Sequence, residues 1–189
     1  MSVPVNHKKW AQYLRTLLGG ECAVHNFYDE SEENSVHIFT SINDEGIVAA
    51  TVGLMETDQS KNKDIHLFAE ILMDQRGHDQ GIENVLSTIA FYILKDGWRI
   101  AQGVVFEQML EIHFPNHPLP HVMFIPPFQW ETGEMTSVQL ETKRIYPLLA
   151  VPISEAERQF ATKNEDRALE SLWMSNATDV LHWSRQSAV

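Results

Sequence analysis

Residues 143–163 constrain the fold more than any other stretch of the chain. Two basic residues, Lys143 and Arg144, open it, and an apolar run follows through Ile145, Tyr146, Pro147, Leu148, Leu149, Ala150 and Val151. Such a run, with proline towards both ends (Pro147 and Pro152), reads as one buried strand rather than a helix. Ile153 then hands over to Ser154, a good helix cap, and Glu157 stands three residues on, where its side chain can bond back to the cap. A core strand that runs straight into a capped helix predicts an α/β architecture. It names no reaction.

The rest of the chain fits around that landmark. Trp10, Tyr13, Leu14, Leu17 and Leu18 share one helical face, which predicts an N-terminal helix over 5–18 stopped by Gly19 and Gly20. Strands are expected over 22–28, 36–42 and 47–55, joined by polar turns at 29–34 and 43–46. A polar loop over 58–64 and a strand over 65–73 come next, then a break at 77–81. Val85, Leu86, Ile89, Ala90 and Ile93 mark a helix over 82–94, closed by Gly97. Residues 104–114 are apolar but open between strand and helix. A loop covers 115–120, and a short strand over 122–125 ends at Pro126 and Pro127, which lack the N–H a ladder needs. Residues 138–140 lead into the opening strand. Ala168, Leu169, Leu172 and Trp173 form a last helix, with a turn over 179–183. One domain is expected over 1–189, with its core over 21–175.

Charge narrows the partners. The chain has 189 residues and a net charge of −12, which disfavours phosphate backbones as ligands. Residues 21–60 hold nine acidic side chains and no Lys or Arg. Solvated loops explain that bias, and so does a negative face that recruits a basic partner. Asp29, Glu30, Glu32 and Glu33 on one turn, with Asp44 and Glu45 on the next, are the candidate partner-binding residues. One cysteine, Cys22, excludes an internal disulfide framework. Residues 1–10 have no signal-peptide core and no run approaches a membrane span, so a cytoplasmic location is expected.

Catalytic patterns are scarce. His113, His117 and His121 recur every four residues, which on a helix would converge on zinc. Pro115, Pro118 and Pro120 forbid that helix, so no metal is expected. No nucleophile elbow, phosphate-binding loop or CxxC occurs, and no cofactor is expected. Cys22 reads as a small buried residue rather than a nucleophile. Glu107 and Glu111 are spaced for a carboxylate pair or for an ordinary solvated face. Phe128 and Trp130 flank an acidic turn (Glu131, Glu134), as a partner-binding aromatic pair or a lid on the core. Glu70 either points to solvent or is buried against a basic or hydroxyl partner, because an unpaired buried charge is prohibitive.

Several strings, in order, resemble one family. They are Glu70-Ile71-Leu72-Met73, the helix through Tyr92 to Gly97, the turn Gly103-Val104-Val105, Val122 to Pro127, and Leu149 to Glu157. Together they resemble the suppressor-of-fused-like domain family over roughly residues 25–175, and more closely its bacterial members, the immunity proteins of LXG-type polymorphic toxin systems. At Gly103 the chain departs from the family's Gly-His-Thr pattern. The resemblance implies a mixed β-sheet core flanked by helices (α+β), no catalytic residues, and a cognate toxin as the partner; the charge of −12 fits a basic toxin, such as a nuclease. A hydrolase using 107–121 and a general protein-binding scaffold are the alternatives.

Overall fold

The computed structural model describes residues 3–60, 66–77, 81–129, 135–164 and 167–189. The chain opens with helix α1 (Val5–Leu18), then an antiparallel run of β1 (Glu21–Tyr28), β2 (Ser35–Asn43) and β3 (Gly46–Val52). A 3-10 turn (Leu54–Glu56), strand β4 (Ile71–Arg76) and helix α2 (Ile82–Asp96) follow. Strands β5 (Val105–Phe106), β6 (His121–Ile125), β7 (Val138–Gln139), β8 (Arg144–Ile145) and β9 (Leu148–Ile153) lead to helices α3 (Glu155–Lys163) and α4 (Ala168–Ser175).

Seven strands form one sheet in the order β1-β2-β3-β4-β9-β6-β5, and β7 and β8 form a separate hairpin. Only β4 and β9 run parallel; every other neighbouring pair is antiparallel. The sheet is therefore mixed, as expected. Helix α2 lays Val85, Leu86, Ile89 and Ile93 on one face, against Ile38, Ala49, Ile71 and Met73. On the other face Trp10 and Leu14 of α1 pack with Phe39, Ala50 and Leu72 beside Leu169 and Trp173 of α4. The alternation of Val52 and Leu54 with Thr51 and Gly53 suggests one covered face, but helices cover both sides of the sheet and all seven residues of β3 are buried, Thr51 included. Among the described residues no helix is long and apolar enough to cross a membrane.

Four expectations about strands need correction. The 145–151 run is two strands, because Pro147 interrupts the ladder between β8 and β9. Pro152 lies inside β9 instead of ending it. It is tolerated because β4 pairs only with Leu148 and Leu149, so no strand flanks β9 on that side at Pro152. The strand expected over 65–73 begins only at Ile71. Phe68 makes isolated bridges to Asp58 and Ile145, and Ile65 lies outside the described residues. The strand expected over 47–55 stops at Val52, where Gly53 turns with φ +113° into the 3-10 segment.

Candidate binding surfaces

The corner between β9 and α3 is built by the predicted capping box. The Glu157 N–H donates to Ser154 Oγ at 3.0 Å, and Glu157 Oε2 accepts from the Ser154 N–H at 2.9 Å. Glu157 is also fully buried. The Arg185 guanidinium grips both its oxygens, at 2.7 and 3.0 Å, and the Trp173 indole N–H adds a bond at 2.9 Å. Burial pushes this carboxyl up, but Arg185, the Ser154 N–H and Trp173 outweigh it and hold it down. Arg185 donates further to Pro152 O at 3.0 Å, so the ion pair ties the C-terminal segment to β9. Every oxygen is committed, which makes this a structural clamp.

Glu70 takes the buried alternative, with a hydroxyl partner. It accepts from the Thr51 hydroxyl, from the Gly53 N–H at 2.8 Å and from the Met55 N–H at 3.1 Å, and so holds the 3-10 turn in place. Complete burial with no cation pushes its carboxyl up to about 8 in spite of those donors.

The three histidines of 113–121 face three different ways. His113 Nε2 pairs with the Thr88 hydroxyl at 2.8 Å, and burial lowers its pKa. His117 packs edge-on against Trp183 and accepts from the Leu119 N–H at 3.1 Å. His121 is buried. Its Nδ1 accepts from the Gln108 N–H at 3.0 Å, so Nε2 carries the proton and donates to Glu155 at 2.9 Å. Glu155 is itself forked by Arg158, whose hydrogen bonds, with one from Gln159, hold that carboxyl down at about 2. With both ring nitrogens occupied, His121 has no lone pair to act as a general base. Glu107 is taken by Arg158 and Glu111 by the Asn116 N–H, so these two do not form a carboxylate pair. Among the described residues no three His, Cys, Asp or Glu side chains gather as a metal site would require. Cys22 is half-buried rather than buried, and its thiol donates to Gly19 O at 3.1 Å.

What remains are surfaces. Of the candidate partner-binding residues, Glu30, Glu32 and Glu33 are exposed on the β1–β2 turn. Asp29 is not. Its side chain is 3% exposed, held by the Asn34 amide, Ser31 and Lys95, and its carboxyl is held well below the usual range chiefly by Asn34. It closes the turn and is removed from the contact set. Asp44 and Glu45 are exposed on the β2–β3 turn. The two acidic turns sit at opposite ends of β2, roughly 27 Å apart at the usual rise along a strand. The fold does not merge them into one patch. It places them at the two ends of the outer strand β1, whose pattern is exposed on both faces, with Val24 at 50% and Tyr28 at 58%.

A second surface is a groove of about 370 Å³ between the strip Ile125–Phe128 and α4, floored by Trp173 and Val180. Phe128 (54% exposed) and Met174 (83%) form its rim, so Phe128 is no core lid. Trp130, Glu131 and Glu134 lie outside the described residues. The sequence marks Phe128 as a partner-binding aromatic or a lid on the core, but it shows neither the groove beside Phe128 nor the exposure of β1, where Val24 looks like an ordinary apolar position.

Comparison with known proteins gives a consistent picture. The family model for suppressor of fused protein (SUFU) matches residues 30–186. The Bacillus subtilis (strain 168) immunity protein YqcF is 32% identical over 196 residues, covering all of both chains. Among solved structures, a SUFU homolog from Neisseria gonorrhoeae superposes with a TM-score of 0.77 at 14% identity, over 98% of this chain and 97% of that one. The Sufu–Fu complex gives 0.61 at 12% identity, over 99% and 93%. Drosophila Suppressor of Fused gives 0.56 at 13% identity, where 97% of this chain spans 50% of that one.

Proposed function

The chain belongs to the suppressor of fused family, and we propose that it is a non-catalytic immunity protein that binds a cognate toxin of the same cell, in the cytoplasm, and neutralises it by occlusion. The observation that carries this reading is the end-to-end identity of 32% with a relative named as an immunity protein. The committed hydrogen bonds of His121, Glu155 and Glu157 are consistent with it, since these groups hold the fold and leave little free for chemistry. The charge of −12 fits a basic toxin, and a nuclease, which must present cations to phosphate, is the toxin class that the charge fits best. Glu30, Glu32, Glu33, Asp44 and Glu45 are the proposed acidic contacts.

Co-expression tests it. Expression of a toxin encoded beside this chain's own gene should by itself arrest growth, and this chain should restore growth while co-purifying with the toxin. Failure of both protection and co-purification overturns the immunity reading.

A further inference from the structure

Strand β1 ends the sheet, and its outer edge is free of any other described element. Its eight residues pair with β2 in unbroken register, from Glu21↔Ile42 to Tyr28↔Ser35. Across the turn the Asp29 N–H donates to Asn34 O at 3.1 Å. Bonded and non-bonded pairs alternate in an antiparallel ladder, so counting back from Asp29 makes Phe27, His25, Ala23 and Glu21 the residues bonded to β2. The N–H and C=O groups of Cys22, Val24, Asn26 and Tyr28 therefore point outward, away from the sheet.

A free edge of this length is a template for another strand, and proteins usually disarm it with lysine, proline, a bulge or a covering element. β1 carries none of these: it contains no Lys or Pro, and its register has no bulge. Val24 and Tyr28 instead present exposed apolar surface on one side. Beside them a shallow groove of about 190 Å³, lined by Ala11, Arg15, Val24 and Phe39, separates β1 from α1. That volume suits a side chain rather than a separate small ligand.

We infer that the partner adds an extended segment to β1 as an eighth strand, one apolar side chain entering the α1 groove and basic residues flanking it at both ends. Charge selects the occupant. Glu30, Glu32 and Glu33 lie beyond the Tyr28 end, and Glu21, Asp44 and Glu45 lie at the other. The nearby Lys95 is engaged by Asp29 at 3.2 Å, and Arg15 stands in the groove itself. A second copy pairing antiparallel would set acidic end against acidic end at both termini, which disfavours self-association. A strand with Lys or Arg at its ends meets the opposite sign twice. The inference rests on the immunity reading, and the adjacent gene's toxin, inactivated in its own active site, is the probe.

Amide hydrogen exchange of the full chain, with and without that toxin, reads the edge directly. Exchange at Cys22, Val24, Asn26 and Tyr28 is expected to slow at least tenfold on binding, with little change at Ala23 and His25, which are already bonded to β2. Val24→Pro removes an outward N–H and exposed apolar surface but no bond to β2, so it should keep the fold and weaken binding at least tenfold. A complex that forms without slowing those four amides overturns strand addition and leaves the immunity reading standing. Absence of any complex overturns both. Slowing that appears on concentrating the chain alone assigns the edge to a second copy and overturns the inferred occupant.

Discussion

Glu70 sets burial against hydrogen bonding on a single carboxyl. The Thr51 hydroxyl and the N–H groups of residues 53–55 favour its charged form, yet full burial without a cation raises its pKa from 4.5 to about 8. Between those two values the folded chain holds a proton that the unfolded chain has released. The stability owed to this group is therefore present at low pH and is lost as pH rises through the window. Thermal melts from pH 5 to 8 should show wild type losing stability relative to Glu70→Gln, because the amide keeps an acceptor for Gly53 and Met55 without acquiring charge. Parallel curves would show that the carboxyl does not titrate there. The sequence left two alternatives for Glu70, and the buried one holds. Nothing in the local pattern distinguished them, since the donors Thr51, Gly53 and Met55 come from another part of the chain. Asp29 fails for the converse reason: a turn aspartate looks exposed in sequence, but Lys95 at the end of α2 reaches over to it.

The β9–α3 element was largely legible, because a capping box is local and its two partners stand three residues apart. Its second half was hidden. Arg185 reaches Glu157 across 28 positions of sequence, a pairing no spacing rule reveals. The two halves should also differ in weight. Ser154→Ala removes one cap bond and should cost about 0.5–2 kcal/mol. Arg185→Met strands a buried carboxylate and should cost about 3–5 kcal/mol. Denaturant titrations of the two variants check the order, and equal losses would refute the clamp. Strand boundaries were legible where alternation or turns marked them, as in β1 and β2. They were misread where proline or a buried acid redirected the ladder, at Pro147, Pro152 and Glu70. Strand order was not legible at all: that β1 is an edge while β4 is central depends on the parallel pairing of β4 with β9, which joins two distant parts of the chain.

For the whole molecule, the groups that hold the fold and the proposed contacts lie in different places. Glu70 and Glu157 are buried beside the two cores, and Asp29 is buried in the β1–β2 turn, whereas Glu30, Glu32, Glu33, Asp44 and Glu45 stand exposed at the ends of β1. Reversing Glu30, Glu32 and Glu33 to Lys should leave the melting temperature nearly unchanged and slow association with the toxin, with the effect fading at high salt. Adding Asp29→Lys should lower the melting temperature as well, because it breaks the turn. Unchanged low-salt association rates would remove the β1–β2 turn from the steering surface. The proposed role itself is a stoichiometric one, in which the chain works by covering its target and not by altering it. The measurement that tests this most directly is a titration of the toxin's own activity. Residual activity is predicted to fall in proportion to added chain, to vanish at a fixed molar ratio, and to return when the complex is separated. Complete and lasting loss of toxin activity at a small fraction of one equivalent would mean turnover, and would contradict a non-catalytic immunity protein.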